Sequence, residues 1–402
     1  MAVVARTLER MREHLGLDIA YISQLDGDDM IVRAHCSPDF PADLPDQMTI
    51  PRAAGFCTHM VSGEIPQIIH DTSQIPLARD LPTRHDFNIQ CYIGVPLHRE
   101  DGTVYGSLCA LGHHPNETLN DRDLRSIKLF AEIVAEQIDA ELEDRREHAE
   151  RLARVSAVIE EEAFDLHFQP IVVLESGQLK GFEALCRFQG TPYRTPDKWF
   201  GEAEAAGLGV ELELAVIRKA LETMRDLPDG LSIGLNLSPE CLLSESLMDI
   251  FFDCPRERLL LEVTEHAVVR DYAALGARIA QYKAQGFRIA VDDAGAGYSS
   301  LSHILQLQPD VIKLDMSLTR NIHEDPVRRS LANALTVFAR ETNAEIVAEG
   351  IETGAERDVL EHLGAHYGQG YYFAKAMPVE EAIRFAARPR HQRGPESAAM
   401  RA

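Results

Sequence analysis

The second half of the chain carries a series of apolar segments, each ending in a polar side chain that could bind a metal ion or transfer a proton. These side chains are Glu183, Asn236, Glu262, Asp292 with Asp293, Lys313, Glu349 and Gln369. The five acids of this set, directed into one cavity, would repel one another unless cations lay among them. Because oxygen ligands without His or Cys are typical of hard cations, the set predicts Mg²⁺ or Mn²⁺ rather than zinc.

Asp292 and Asp293 are adjacent in the segment VDDAGAGYSS, which runs from Val291 to Ser300. An Asp often caps a turn, and neighbouring acids on a solvated loop are common, so this pair alone is weak evidence for a site. Together with the other polar residues, the pair is interpreted as ligands of two metal ions, with Asp292 placed to bridge them. Two ions about 3.5 to 4 Å apart can activate a water and stabilise the oxygens of an in-line phosphoryl displacement. The sequence therefore predicts a phosphate ester as substrate.

The elements that would position these residues follow from the pattern of the chain after Phe164. Short apolar runs alternate there with amphipathic helical stretches such as ELELAVIRKALETMRD, which is typical of a parallel α/β domain. About eight strand candidates in roughly 225 residues favour a (β/α)₈ barrel over an open sheet. In a barrel the carboxyl ends of the strands converge on one face, so polar residues far apart in the sequence would meet in one site.

The first third of the chain shows a different pattern, in which apolar and polar residues alternate. DIAYISQL and MIVRAHC flank Asp26 and Gly27, while CYIGVPL and TVYGSLCAL flank Asp101 and Gly102. Two β-hairpins are therefore predicted. A short helix is expected between them, around residues 53 to 61.

A charged, helix-prone segment without Gly or Pro joins the two regions, from Asp121 to about Glu162. An apolar seam with heptad spacing is interrupted by charged residues and then resumes; its members include Ile127, Ala131, Val134, Ile138, Leu152, Val155 and Ile159. Two interpretations stay open: a signalling helix in a dimer, or an amphipathic linker packed on its own domains.

The composition limits the class of protein. A chain of 402 residues exceeds the size at which a single core stops growing, so two domains are predicted. Its 64 acids against 40 Lys and Arg residues give a net charge of -24, which argues against binding to duplex nucleic acid or to anionic membranes. Seven scattered cysteines without a C-x-x-C pair argue against a disulfide framework or a zinc site and favour a reducing compartment. Without a signal peptide or a long apolar run, a soluble cytoplasmic protein is expected.

The segment CYIGVPLHREDGTVYGSLCALG, from Cys91 to Gly112, resembles a GAF domain, a small sensory α/β fold. The resemblance covers about residues 5 to 142 and implies a central antiparallel sheet with flanking helices. In that family the pocket above the sheet holds a cyclic nucleotide, a tetrapyrrole, a small effector or nothing. The sequence leaves the GAF ligand unknown.

A series of motifs in the second half resembles the EAL family of cyclic di-GMP phosphodiesterases. They are GFEALCRF from Gly181, LNLS from Leu235, EVTE from Glu262, VDDAGAGYSSL from Val291, IKLD from Ile312, AEGIET from Ala348 and GQGYYFAKAMP from Gly368. The resemblance implies a modified (β/α)₈ TIM barrel with one antiparallel strand. It also implies a reaction that opens cyclic di-GMP to linear pGpG with two Mg²⁺ or Mn²⁺ ions.

The resemblance assigns roles to individual positions. For the first metal it implies Glu183, Asn236, Glu262 and Asp292 as ligands, and for the second Asp292, Asp293 and Glu349. Lys313 would orient the nucleophilic water, Glu349 is also a candidate proton acceptor, Glu352 would support the ligand shell and Gln369 would complete the site. The substrate would contact Gln169, Leu185, Arg187 and Asp315, and Glu265 would anchor the loop after Asp293.

One segment departs from the family pattern. The loop after the acid pair usually reads DDFGTGYSSL in the family, whereas this chain has Ala294 and Ala296. If Ala294 leaves the loop loosely packed, basal activity should be low and should depend on dimer contacts or on a GAF ligand. Alternatively, neighbouring side chains have repacked around Ala294, and a larger residue there would overpack the site.

The predicted organisation is a GAF-like sensory domain at 1–142, a helical linker at 143–162, an EAL-type barrel at 163–388 and a disordered tail at 389–402. The leading hypothesis for function is a phosphodiesterase regulated by the GAF domain. One rival is a catalytically silent protein that binds cyclic di-GMP and signals through the GAF domain or a partner. Another is a constitutive enzyme whose GAF domain is structural. A homodimer through the barrel and the linker helix is expected.

Overall fold

The computed structural model describes residues 2–37, 48–190, 193–263, 269, 271–295 and 304–388. The chain divides into two compact units, Met1–His148 and Ala149–Ala402. The division falls inside the segment 143–162, for which the sequence predicts a linker. The predicted tail at 389–402 lies outside the described residues. Within the described part of the chain, no helix is both long and apolar enough to cross a bilayer.

Six strands form one antiparallel sheet in the N-terminal unit. They are β1 (Ile19–Asp26), β2 (Asp29–Cys36), β3 (Thr49–Pro51), β4 (Ile68–Ile69), β5 (Cys91–His98) and β6 (Val104–Gly112). Their order in the sheet is β3-β2-β1-β6-β5-β4. Both predicted hairpins are confirmed, because β1 pairs with β2 and β5 pairs with β6. Each connecting turn holds a glycine at positive φ, 55° at Gly27 and 81° at Gly102, as tight hairpin turns favour.

Helices and loops cover both faces of this sheet. The helices are α1 (Ala2–Leu15), α2 (Phe56–Val61), α3 (Pro76–Asp80), α4 (Pro82–Asp86) and α5 (Asp121–Glu160), with short 3₁₀ helices at Arg52–Ala54 and Thr72–Gln74. Side chains alternate along β1, so Ala20 and Ile22 pack in the core that α1 and α5 cover. Ile19 and Tyr21 pack in a second core on the opposite face, to which α2 contributes.

Several residues of the predicted apolar seam of α5 pack in the cores of this chain's own units. Ile127 and Val134 are buried in a core of the N-terminal unit, and Val155 is buried in the core of the C-terminal unit. These buried seam residues are unavailable for a coiled coil, as in an amphipathic linker packed on its own domains, whereas Leu152 of the same seam is 39% exposed. Two other apolar residues of α5, Leu129 and Ile133, are 60% and 45% exposed.

Eight strands close into a barrel in the C-terminal unit. They are β7 (Phe164–Val173), β8 (Leu179–Phe188), β9 (Ser232–Leu237), β10 (Leu259–Val263), β11 (Arg288–Ala294), β12 (Val311–Leu314), β13 (Glu345–Ala348) and β14 (Tyr367–Gly368). Strands β8 to β14 are mutually parallel, whereas β7 is antiparallel to both β8 and β14 and closes the barrel. A short strand, β15 (Met377–Pro378), also pairs with β7. The predicted (β/α)₈ barrel with one antiparallel strand is confirmed.

Helices surround the barrel in the intervals between its strands. They are α6 (Pro196–Ala206), α7 (Gly209–Met224), α8 (Pro239–Leu243), α9 (Glu245–Ile250), α10 (Tyr272–Ala284), α11 (Met316–Thr319), α12 (Pro326–Glu341), α13 (Gly354–Leu363) and α14 (Val379–Ala386), with a 3₁₀ helix at Arg256–Arg258. Local sequence explains several of the starts. Pro occupies the first position of α6, α8 and α12, and Asp271 and Asp325 cap the first turns of α10 and α12.

Side chains inside the barrel form an apolar layer and a polar layer. The apolar layer includes Ile171, Leu260, Ala290, Val311, Val347 and Tyr367. Because side chains alternate along a strand, the residue two positions further on points to the same interior. Two positions after the apolar-layer residues of β10 to β14 lie, in chain order, Glu262, Asp292, Lys313, Glu349 and Gln369. The barrel thus gathers the polar residues that the sequence places at separate strand ends.

Candidate active site

Lys313 lies at the centre of the polar layer, with only 1% of its side chain exposed. Its Nζ atom is 2.5 Å from Glu262 Oε2, 2.7 Å from Glu349 Oε1, 3.1 Å from Asp292 Oδ1 and 3.6 Å from Glu183 Oε1. Carboxylates from four positions along the chain therefore surround one ammonium group. One ammonium cannot compensate four carboxylates, so the site is suited to further cations.

Burial and charge act together on the protonation of these groups. Burial raises the pKa of Glu262 to about 8, although the Lys313 charge opposes the shift. Burial likewise raises the pKa of Glu349 well above its usual value. Burial acts in the same direction on Glu183, but the Lys313 charge and hydrogen bonds from two amides outweigh it and lower the pKa of that carboxyl. Burial disfavours the charged form of Lys313, yet the surrounding carboxylates outweigh it and raise the pKa of this lysine.

Side-chain amides tie Glu183 to neighbouring strands. Asn236 Nδ2 donates to Glu183 Oε1 at 2.8 Å, and Gln369 Nε2 donates to Glu183 Oε2 at 2.6 Å. Gln369 Nε2 also donates to Gln169 Oε1 at 3.1 Å, and Gln169 Nε2 donates to the carbonyl of Ala374 at 3.3 Å. Residues of β7, β8 and β9 and of the segment after β14 are thus joined in one network.

Asp292 and Asp293 lie in a β-bulge of β11. The register between β11 and β12 shifts between Val291 and Ala294. Asp293 has a left-handed backbone, with φ at 54°, and its N–H donates to Asp292 Oδ1 at 2.9 Å. Adjacent side chains of a regular strand point to opposite faces. The bulge changes that geometry, and both carboxylates belong to one cluster.

Among the residues that the structure describes, two groups of carboxylates have the spacing of metal sites. Glu183, Glu262 and Asp292 form one group, and Asp292, Asp293 and Glu349 form the other; in each, one oxygen per residue lies within 4.8 Å of the others. Asp292 belongs to both groups. Glu262 Oε1 is buried and has no hydrogen-bond partner among the described residues, as suits an oxygen that ligates a cation. This donor set fits two hard divalent ions.

Gly234 on β9 provides the space that the Glu262 side chain occupies. A Cβ atom at position 234 would lie 2.0 Å from Glu262 Oε1 and 3.0 Å from its carboxyl carbon. Because Glu262 is fully buried, its carboxylate would have to move for such an atom to fit. This role of Gly234 was not predictable from the sequence, since a glycine within a strand has several ordinary explanations.

Hydrogen bonds with two buried side chains hold the loop after β13. Neither side chain was singled out from the sequence. The buried hydroxyl of Thr319 donates to the carbonyl of Glu349. The buried carboxylate of Glu356 accepts hydrogen bonds from the N–H groups of Glu352 and Thr353, both at 2.9 Å. Thr353 and Glu356 form a capping box at the start of α13, and the T-x-x-E spacing was the available sequence signal.

The predicted substrate-contacting residues of β8 lie on the same strand face as Glu183. Leu185 and Arg187 follow Glu183 at two-residue intervals and are half-buried. Arg187 Nη1 donates to the carbonyl of Cys186 at 2.8 Å. Leu185 and Arg187 therefore extend along β8 from the buried carboxylate of Glu183.

Three other predicted site residues are not among the carboxylates around Lys313 in the described structure. Asp315 caps α11 by accepting a hydrogen bond from the backbone N–H of Ser317 at 2.8 Å. Glu352 is 41% exposed and pairs with Arg320, so the structure does not bring its carboxylate into the group around Lys313. Glu265 lies outside the described residues.

The loop that departs from the family pattern is described only as far as its first two residues. Ala294 is fully buried and belongs to the large apolar core of the C-terminal unit. This supports the alternative in which neighbouring side chains have packed around Ala294. Ala296 lies outside the described residues.

The N-terminal unit contains a mostly apolar cavity. Its described lining includes Ile19, Tyr21, Met30, Phe56, Phe87 and Leu111. Polar side chains are also present at His35, Ser37 and Thr83, but none of the described lining residues is Lys or Arg. This lining favours an apolar ligand over one that carries a phosphate.

Comparison with known proteins agrees with this geometry. The family model for the EAL domain matches residues 149–376, and the family model for the GAF domain matches residues 2–139. The probable cyclic di-GMP phosphodiesterase PdeB of Escherichia coli strain K12 is 33% identical over 246 residues, which cover 58% of this chain and 46% of PdeB. The bifunctional diguanylate cyclase/cyclic di-GMP phosphodiesterase MucR of Pseudomonas aeruginosa is 30% identical over 318 residues, covering 75% of this chain and 45% of MucR. The chain thus spans less than half the length of either relative.

Solved structures show the same fold. The PaMucR phosphodiesterase in complex with c-di-GMP matches 58% of this chain and 100% of its own, with 30% identity and a TM-score of 0.53. An EAL domain protein from Listeria monocytogenes EGD-e matches 56% of this chain and 94% of its own, with 26% identity and a TM-score of 0.52. The EAL enzyme Bd1971 matches 92% of this chain and 93% of its own with a TM-score of 0.58, but at 19% identity it shows similarity of fold alone.

Proposed function

Because the chain belongs to the EAL domain family, we propose that it hydrolyses cyclic di-GMP to linear pGpG. The observation that carries the proposal is the pair of carboxylate groups that share Asp292 beside the buried ammonium of Lys313. Each metal-ligand position implied by the family resemblance holds a residue able to ligate. The names of the relatives, which include cyclic di-GMP phosphodiesterases, support this substrate.

We assign the ligands in two sets. Glu183, Asn236, Glu262 and Asp292 would hold one ion, and Asp292, Asp293 and Glu349 would hold the other. When bound, the two ions would supply an activated water and neutralise charge on the phosphate oxygens. Mg²⁺ or Mn²⁺ fits a ligand set made only of oxygens.

The chain's own groups would position the substrate and accept a proton. Lys313 Nζ, 2.7 Å from Glu349 Oε1, would orient the attacking water and offset the charge of the phosphate. Glu349 would accept the proton of that water. Arg187 would contact a phosphate or a guanine base, while Gln169 and Leu185 would line the substrate groove.

Product analysis under different metals tests this proposal. The purified chain should convert cyclic di-GMP to pGpG with Mg²⁺ or Mn²⁺. With Ca²⁺ it should stall, because the larger and more loosely coordinated ion would misplace the water. Tight nucleotide binding without any linear product under Mg²⁺ and Mn²⁺ would instead support a catalytically silent binding protein.

We also propose that the chain forms a homodimer in which α5 takes part. The support is the exposure of Leu129 and Ile133, which lie four residues apart on one face of that helix. Light scattering after gel filtration should give twice the mass of the chain, and Ile133→Lys should shift the equilibrium toward the monomer. A monomeric wild-type protein at catalytic concentrations would contradict this.

A further inference from the structure

Two cysteine thiols lie in contact inside the N-terminal unit. Cys57 in α2 and Cys109 in β6 are both fully buried, and their sulfur atoms are 3.5 Å apart. Both are free thiols. A disulfide bond is about 2.0 Å long, so the sulfurs would have to approach each other by about 1.5 Å.

Hydroxyl groups surround this thiol pair in an otherwise apolar core. Tyr21 OH lies 3.1 Å from Cys57 Sγ, and Tyr92 OH lies 2.9 Å from Cys109 Sγ. The thiol of Cys109 also donates to Ser107 Oγ at 3.1 Å. A buried polar cluster of this kind is costly unless its members bond to one another, as they do here. The hydroxyls can also stabilise negative charge on sulfur.

The two thiols are chemically unequal. Burial alone would raise the pKa of Cys57, but hydrogen-bonding contacts with Cys109, Ser107 and Ser23 outweigh it and lower this pKa. Burial raises the pKa of Cys109 well above its usual value. The contacts of the two sulfurs thus favour Cys57 as the attacking cysteine and Cys109 as the resolving cysteine.

We propose that Cys57 and Cys109 are a redox-sensitive pair that forms a reversible disulfide in the presence of peroxide. The sulfur of Cys57 attacks hydrogen peroxide; an S–O bond forms, the O–O bond breaks, and the departing hydroxide takes up the proton that the Cys57 thiol gives up and leaves as water. The sulfur of Cys109 then attacks the sulfenic acid; an S–S bond forms, the S–O bond breaks, and hydroxide leaves with the thiol proton as a second water. The two thiols lose two electrons, and the peroxide gains them.

The cavity is lined by neighbours of the pair rather than by the two sulfurs, and a small oxidant would approach the pair from it. Tyr21 lines the cavity, and its hydroxyl contacts Cys57. Phe56, which precedes Cys57 in α2, lines it as well. Burial restricts the site to small reagents, so oxidation should be slower than at the half-buried Cys36.

Peptide mapping of the oxidised full chain tests the proposal. Reduced protein is treated with hydrogen peroxide, unfolded in N-ethylmaleimide, digested without reductant and analysed by mass spectrometry. The peptides that contain Cys57 and Cys109 should be joined, and dithiothreitol should separate them. Cys57→Ser and Cys109→Ser should abolish this product. Cys91→Ser should keep it, because Cys91 is an equally buried thiol that packs on the opposite face of the sheet.

Two results would overturn the proposal. One is a peroxide dose that oxidises Cys36 but leaves Cys57 and Cys109 fully alkylated by N-ethylmaleimide, which would show that both are still reduced. The other is a sulfinic acid at Cys57 without any cross-link to Cys109, which would show that no resolving step takes place. If the serine variants do not fold, the map of the wild-type chain decides the question by itself.

Discussion

Asp292 is the one carboxylate common to both groups that have metal-site spacing. Asp292→Asn should lower the rate of cyclic di-GMP hydrolysis by about two to three orders of magnitude, since metal ions supply several kcal/mol of transition-state stabilisation. The metal-free variant should unfold at an equal or higher temperature, because one fewer carboxylate repels its neighbours.

A matched acid on another part of the barrel controls for this substitution. Glu345 lies near the start of β13, accepts a hydrogen bond from Tyr367 at 2.9 Å and pairs with Arg288. Glu345→Gln should keep the activity and lose a small amount of stability. Near-normal turnover in Asp292→Asn would contradict the bridging role.

Glu262 should make the stability of the metal-free protein depend on pH. Its pKa is raised from 4.5 to about 8 in the folded protein, so the folded state binds this proton more tightly than the unfolded state. The resulting stabilisation is complete below a pH of about 4.5 and is lost as the pH rises through about 8. Melting temperatures of the metal-free wild type should therefore fall across this window relative to those of Glu262→Gln. Parallel curves for the two proteins would refute this contribution.

Single residues of the site could be predicted to different degrees. Glu262, Lys313 and Glu349 were identifiable because each follows an apolar run that predicts a strand. Gly234 was not, because its effect depends on the side chain of a neighbouring strand, which no local pattern reveals. Glu352 belongs to the same AEGIET motif as Glu349, but its pairing with Arg320 depends on a contact between residues distant in sequence.

Strands β9 and β10 pack so closely that a side chain at Gly234 would collide with Glu262. Gly234→Ala should displace the Glu262 carboxylate and reduce activity, since the added atom would lie 2.0 Å from Glu262 Oε1. Gly276→Ala in α10 is the matched control, because nothing lies within 4 Å of its added Cβ atom. That control should keep full activity and gain about 0.5 to 1 kcal/mol of stability, as expected for Gly→Ala within a helix. Equal activity of the two variants would show that Glu262 tolerates the displacement.

Elements with a long or alternating apolar pattern were predictable, and the others were less so. Both hairpins and the strands that precede the site residues followed from such patterns. Strand β14 has only two residues, which is too short for a clear apolar pattern. The seam of α5 has a clear period, but periodicity cannot distinguish packing on its own domains from packing on a partner, which the burial of Ile127 and Val155 decides.

Regulation by the N-terminal unit can be tested on the whole molecule. We expect the turnover of the full chain to differ from that of residues 149–402, the C-terminal compact unit. The reason is that a sensory unit can act on the site only by shifting the population of its active state. Circular dichroism should first establish that the shorter chain is folded. Identical kcat and KM values for the two proteins would support an enzyme whose GAF domain is only structural.

The most direct test of the proposed chemistry is hydrolysis of cyclic di-GMP by the full chain in ¹⁸O-labelled water with Mg²⁺ or Mn²⁺. Direct attack of water on phosphorus predicts pGpG with one ¹⁸O atom in its terminal phosphate. Mass spectrometry of the product reads this incorporation, and Asp292→Asn serves as the inactive control. Unlabelled pGpG would contradict attack by water on phosphorus, and the absence of any linear product despite nucleotide binding would contradict the phosphodiesterase itself.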